Sequence, residues 1–269
     1  MIKNYTVFPF VKNGKFLNFE DNNAICGLTV RNCGSMRFRW NEENLLRKEK
    51  LAEISKKFNN KTFVPVELQH THTVYDVKNQ NDTKNKIGDG IITKNADLIP
   101  TVTVADCMPL YFFDSNTGVF GIVHSGWKGT GIIFDALMLA AKNYGSKPQN
   151  FCVTIGPHIR NCCYIVDSDR AKYFSDNFGN DCVKLLEDDI KINWTFKKSC
   201  TDKRLFRLSL EKANLAVLEK AGVLQENIYI HNDCTCCSKN ELYGSNRRET
   251  MQNGCPNNFT VQAAFVVKK

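Results

Sequence analysis

Ala105-Asp106-Cys107-Met108-Pro109-Leu110-Tyr111-Phe112-Phe113-Asp114-Ser115-Asn116-Thr117-Gly118-Val119-Phe120-Gly121-Ile122-Val123-His124-Ser125-Gly126-Trp127-Lys128-Gly129 is the stretch from which the rest of the chain is read. Two apolar runs, Leu110 to Phe113 and Val119 to Val123, flank a polar turn closed by Gly118, the pattern of two strands joined by a short loop. Cys107 and His124 lie nearly equidistant from that turn. Antiparallel pairing brings them within about a residue of being opposite, where Cβ atoms are roughly 4.5 to 5.5 Å apart. A thiol and an imidazole so placed are two of the three protein ligands of a catalytic zinc site, whose fourth position is kept for water or substrate. The same spacing also fits a nucleophilic Cys107/His124 dyad, or a small buried thiol beside a hydrogen-bonded core histidine.

The third ligand must come from a set of five histidines. His70 and His72, in Leu68-Gln69-His70-Thr71-His72-Thr73-Val74-Tyr75, are the candidates, and their alternate spacing puts both on one face of a strand. His158 and His231 each neighbour a cysteine-containing segment.

Working outward, 269 residues suffice for one domain with a sizeable core, and no linker divides 1–269. The amino-terminal Met1 to Val7 has neither a long apolar core nor a small-residue cleavage site, and no stretch approaches the roughly 20 apolar residues that span a bilayer. A cytoplasmic protein without membrane association is expected. Twelve cysteines without an export signal read as thiols in a reducing compartment. Adjacent pairs such as Cys162-Cys163 and Cys236-Cys237 bond to each other only under strain. Cys234 and Cys237 have C-x-x-C spacing but no second such pair nearby, whereas four-thiolate zinc sites usually show two paired spacings; a structural zinc site here would have to be completed by Cys162 and Cys163.

The formal charge of +8 raises the question of nucleic acid. Lysines and arginines are spread along the chain, however, and the cluster from Arg37 to Lys57 alternates with Glu42, Glu43, Glu49 and Glu53 as a solvated helix face does. No nucleic-acid partner is expected; attraction for anionic small molecules is.

Periodicity predicts helices over Glu43 to Phe58, Ile132 to Tyr144 and about Leu210 to Ala221, the last capped by Ser209 and closed by Gly222. Strands are predicted over Thr101 to Val104, Phe151 to Ile155, Ile228 to Ile230 and Thr260 to Val267, and an exposed loop over Asp76 to Lys86. The expected fold is α/β (mixed α+β), a layered sandwich of mixed β-sheets flanked by helices. Gly126 to Gly131, with Lys128 among its glycines, leads into a helix N-terminus that either holds an anion or is simply a tight connection.

Gly88-Asp89-Gly90-Ile91-Ile92-Thr93, ADCMPL from Ala105, GIVHSGWKGT from Gly121, IGPHIRNCCYIV from Ile155, NLAVLEKAGV from Asn214, Cys234-Thr235 and Ser245-Asn246-Arg247-Arg248 together resemble one family. It is the family known as multicopper polyphenol oxidoreductases or laccase-domain proteins, also described as purine nucleoside phosphorylases. Gly27 to Ser35 resembles a further family segment, with Cys33 in place of the first of two paired glycines. The carboxy-terminal Thr260-Val261-Gln262-Ala263-Ala264 lacks the Gly-Arg that often precedes this strand in the family.

The resemblance implies a metal, zinc or copper, held by one cysteine and two histidines. Cys107 and His124 map onto that pattern. The upstream ligand maps to His70, which keeps Val74 four residues on, in preference to His72. The implied activity is phosphorolysis of purine nucleosides such as adenosine, inosine and methylthioadenosine, with deamination of adenosine. Candidate phosphate holders are Arg247, Arg248 and Lys128, and Asp106 is the candidate acid/base beside Cys107. The partners are then a small-molecule nucleoside and phosphate, with the oligomeric state open. A copper-dependent polyphenol oxidase, a hydrolase editing cell-wall precursors, and a structural zinc or nucleic-acid-binding protein are the competing readings.

Overall fold

The computed structural model describes residues 4–21, 23–186, 204–255 and 258–269. Its helices are α1 (Leu45–Lys56), α2 (Ile132–Tyr144), α3 (Ser168–Phe178), α4 (Leu210–Ala221) and α5 (Asn246–Asn253). The apolar run after Cys107 forms the strand Met108–Asp114, pairing antiparallel with Phe120–Ser125 through the expected turn, where Gly118 takes a left-handed φ of 77°.

That hairpin is the centre of a six-stranded sheet. Its order is Ile228–Ile230, Phe151–Ile155, Met108–Asp114, Phe120–Ser125, Gly90–Thr93, Val74–Asp76, antiparallel in the middle and parallel at both outer pairs. A five-stranded sheet runs Tyr5–Phe8, Ala24–Thr29, Gln262–Lys268, Leu98–Val104, Thr62–Pro65, antiparallel except for the last pair. A strand buried on both faces reads as a continuous apolar run, and Met108 to Phe113 shows why. Tyr111 and Phe113 face the inter-sheet core with Leu28, Val102 and Val104, while Leu110 and Phe112 face a second core with Ile133 and Leu137 of α2 and Leu218 of α4. On the far side of the five-stranded sheet, Ala263, Phe265 and Val267 pack with Leu51 and Ile54 of α1. Four layers result: helix, sheet, sheet, helices. A third sheet, Ile165–Asp167, Leu205–Leu208 and Val183–Leu185, lies beside α3.

The predicted α2, α4, Phe151–Ile155 and Ile228–Ile230 coincide with the observed elements. α1 starts two residues later than expected, because the Asn44 side chain caps it by accepting from Arg47 N–H. The strand predicted from Thr101 begins at Leu98, since Leu98 to Pro100 pair with the parallel Thr62–Pro65 despite the proline. The strand predicted from Thr260 starts at Gln262. The Asp76–Lys86 segment is largely the exposed loop expected, with two anchored positions. Asp76 ends a strand, Val77 and Thr83 are fully buried, and Thr83 Oγ1 donates to Pro65 O. No helix among the described residues is long and apolar enough to cross a membrane.

Phe265 is the keystone of the outer layer. Its ring lies over Gly27, where an added Cβ would fall 2.2 Å from it, and makes edge contacts with Tyr5, Phe58 and Phe63. Phe265→Ala is expected to cost about 3–5 kcal/mol of stability, read as a lower denaturation midpoint in urea with an unchanged slope.

Candidate active site

His124 is the penultimate residue of its strand, and the ladder places it opposite Pro109. Continuing that register sets Cys107 level with Gly126, two residues along from His124 rather than the single-residue offset expected, because Cys107 precedes the strand proper. The pair is therefore diagonal. The gap is closed by backbone: a Cβ on Gly126 would stand 2.8 Å from Cys107 Sγ and 2.8 Å from His70 Cδ2, so only glycine lets the three side chains converge.

His70 and His72 do not share a strand face. The segment before Val74 is irregular, and His70 sits in the left-handed region at φ 57°. That turn sends His70 to the site and His72 away from it. His70 Nε2 lies 3.8 Å from Cys107 Sγ and its ring centroid 4.8 Å from that of His124, whereas His72 Nδ1 meets Asp135 Oδ2 of α2 at 2.8 Å. The ligand atoms of His70, Cys107 and His124 all lie within 4.8 Å of one another, a donor set suited to zinc or copper.

Asp89, fully buried between Gly88 and Gly90, organises the group. Its carboxylate accepts from the backbone N–H of His70 (3.0 Å) and Thr71 (2.6 Å), from Thr71 Oγ1 (2.8 Å) and from His124 Nδ1 (2.8 Å), while its carbonyl accepts from His124 N–H (2.7 Å). Holding Nδ1 in this way leaves His124 Nε2 for a metal, the usual carboxylate–histidine arrangement around one.

Without a metal, the charges of this cluster settle on a thiolate and an imidazolium. Burial pushes the Cys107 thiol up, but the charge of His124 and hydrogen bonds from His124 and His70 outweigh it and bring the pKa down to about 6. Burial pushes His124 down, and the Cys107 thiolate together with Asp89 raises it to about 10. Cys107, with its pKa depressed, contributes at high pH and loses its contribution as pH falls through about 6; His124, with its pKa raised, loses its contribution as pH rises through about 10. The ion pair thus spans the window between.

The group opens into a cavity of about 480 Å³. Arg37, Arg39, Arg170 and Arg247 line it, with Phe38, Trp127, Tyr164 and Phe259 among the aromatic walls. Arg170 is stacked on Trp127, 3.9 Å from the ring centroid, and its buried Nε meets no hydrogen-bond partner among the described residues. Among the described residues, Asp106 is the only carboxylate in the lining. Its oxygens accept from Thr235 Oγ1 and Arg247 N–H, both at 2.6 Å, so it anchors the start of α5 while bordering the cavity, and burial raises its pKa.

Two of the expected phosphate holders stand elsewhere. Arg248 spends its guanidinium on the carbonyls of Thr235, Cys236 and Tyr243, because it must tie down a buried loop. Lys128 lies on the exposed turn with Nζ 5.7 Å from the Trp127 ring centroid, outside the cavity lining. The N-terminus of α2 borders a different cavity, with His72 and Lys220. Arg247 does line the site, its Nη2 donating to Ile165 O. Sequence reasoning missed Asp89 as an organiser, though a lone acid between two glycines marks it, and missed Arg170 because α3 itself was not predicted.

Two outcomes follow from this geometry. Asp89→Asn should weaken zinc binding by about 10–100-fold, read by competition with a chromogenic chelator. In the metal-free chain, alkylation of Cys107 followed by peptide mass spectrometry should inflect near pH 6, and His124→Asn should move that inflection upward.

Residues 32–261 match the family model described as multi-copper polyphenol oxidoreductase laccase. A protein of Borreliella burgdorferi named purine nucleoside phosphorylase is 32% identical over 215 residues, 76% of this chain and 84% of that one. Purine nucleoside phosphorylase YlmD of Geobacillus stearothermophilus is 32% identical over 163 residues, 60% of this chain and 55% of that one. The crystal structure of YlmD from Geobacillus stearothermophilus superposes with a TM-score of 0.73 over 92% of each chain at 25% identity. That of the Bacillus licheniformis hypothetical protein YfiH gives 0.75 over 97% of each chain at 22% identity, a likeness of fold. With its cysteine and two histidines gathered at one end of the hairpin and this similarity across most of its length, the chain belongs to the multi-copper polyphenol oxidoreductase laccase family.

Proposed function

We propose that the protein is a purine nucleoside phosphorylase acting on adenosine, inosine and methylthioadenosine, and that it also deaminates adenosine. The observation that carries this reading is the composition of one cavity. Four arginines, four aromatic rings and the His70–Cys107–His124 group border the same 480 Å³, a size suited to a nucleoside with phosphate. The relatives named purine nucleoside phosphorylase support the same reaction.

In phosphorolysis a phosphate oxygen bonds to ribose C1′ as the bond from C1′ to the base nitrogen breaks; the electron pair leaves with the base, which takes up a proton. The protein's part is to hold the anion against C1′ and to orient the base. Arg170 and Arg247 supply charge-assisted donors for phosphate. Trp127, Tyr164 and Phe259 offer flat faces to the purine. Asp106 acts at one remove, by fixing the backbone of Arg247. A zinc or copper ion on His70, Cys107 and His124 would supply Lewis acidity toward an oxygen of phosphate or water. The cavity beside that group is what supports deamination as a companion activity. Phenol oxidation is the less favoured reading, since the described residues gather two imidazoles at this one group and a multicopper array needs more. A cytoplasmic setting, where thiols stay reduced, suits the exposed Cys162, Cys237 and Cys255.

Metal-replete protein given adenosine and phosphate should release adenine, and given inosine and phosphate should release hypoxanthine, each with ribose 1-phosphate. Arg170→Ala should raise the KM for phosphate roughly 10- to 100-fold, the equivalent of one charge-assisted hydrogen bond. Absence of phosphate-dependent base release, measured by chromatography, would refute the assignment.

A further inference from the structure

Two loops, one leading into Tyr164 and one containing Thr235, bring four thiols together. Cys162 and Cys163 lie in the turn after Arg160, and Cys234 and Cys237 in the turn after the Ile228–Ile230 strand. All four sulfurs lie within 4.8 Å of one another, and Cys162 Sγ to Cys237 Sγ is 3.7 Å. A zinc ion with four thiolates at about 2.3 Å in a tetrahedron has sulfur-to-sulfur edges of about 3.8 Å. The observed separation matches that edge and is far beyond the roughly 2.05 Å of a disulfide.

Adjacent cysteines on a strand would point to opposite faces. Here the turn, closed by hydrogen bonds from Cys163 N–H and Tyr164 N–H to Arg160 O, brings both sulfurs to the side of Cys234 and Cys237. The surroundings suit anionic sulfur. Arg160 N–H donates to Cys234 Sγ at 3.4 Å, and the guanidinium groups of Arg207 and Arg248 sit on the loop carbonyls of Cys162 and Cys236. We infer that Cys162, Cys163, Cys234 and Cys237 form a second metal site, a closed structural zinc centre separate from the His70–Cys107–His124 group.

The centre has four protein ligands and so no vacant position for substrate, which sets its role as a clamp. It joins the loop carrying Tyr164 to the loop carrying Thr235, whose hydroxyl donates to Asp106 and whose carbonyl accepts from Arg248. Tyr164 and Asp106, the latter bonded to Thr235, both line the cavity, so the clamp ties two of its lining residues together.

The test uses the full-length chain, purified with reductant and reconstituted with zinc. His70→Ala/Cys107→Ser, in which the first site is disabled, should retain one zinc per chain by elemental mass spectrometry. Adding Cys162→Ser and Cys237→Ser should remove it; both positions are exposed, so the changes leave the core filled. Cobalt in the His70→Ala/Cys107→Ser chain should give the strong sulfur-to-metal charge-transfer absorption of a tetrathiolate. A chelator should lower the melting temperature of that chain and not of the further-substituted one. Equal zinc content in the two chains, or a cobalt spectrum without thiolate charge transfer, would overturn the inference, and neither result depends on nucleoside turnover.

Discussion

A buried carboxylate is costly unless hydrogen bonds replace its water, and Asp89 is supplied with them from two directions. Backbone donors of the His70 turn approach from one side and the His124 ring from the other. Burial pushes its carboxyl up, yet the bond to and charge of His124, with the Thr71 donors, pull it below the ordinary range. Everything around the cysteine depends on that balance. The left-handed turn at His70 is a conformation that costs about 1–3 kcal/mol on its own, and it is the Asp89 carboxylate that receives the N–H groups such a turn exposes.

The cavity joins two kinds of recognition that are seldom interchangeable. Guanidinium groups against aromatic faces recognise phosphate and planar rings without selecting a reaction. A thiolate and two imidazoles beside them select reactivity but little shape. Arg170 on Trp127 and Arg247 near Tyr164 fix the first, while His70, Cys107 and His124 fix the second.

How much of this was legible in the sequence depends on where the signal resides. α2 and α4 carry apolar stripes with glycine or serine at their ends, and their limits were readable to the residue. α5 has no apolar face; a Ser245 cap and the buried Arg248 and Glu249 hold it, so hydrophobic periodicity passes over it. α3 buries only Ala171 and Phe174. The site divides in the same way. Cys107 and His124 were readable because a hairpin imposes their proximity. His70 needed a turn set by tertiary contacts; of the arginines, Arg247 was readable from the Ser245 to Arg248 segment, whereas Arg170 arrives on a helix with little apolar face and Arg37 and Arg39 on non-helical backbone that no local pattern places. The misplacement of Arg248 and Lys128 has a common cause, since a cation's neighbours are decided by the loop beneath it and not by the motif around it.

The strand Leu98–Val104 belongs to one sheet and Met108–Asp114 to the other, yet only Ala105, Asp106 and Cys107 separate them. So short a bridge leaves no slack. Its middle residue is held at φ 78°, and Ile159 N–H donates to its carbonyl. Any sliding of one sheet past the other must therefore displace the sulfur, which makes the reactive atom a strain gauge for the seam between the two halves of the sandwich.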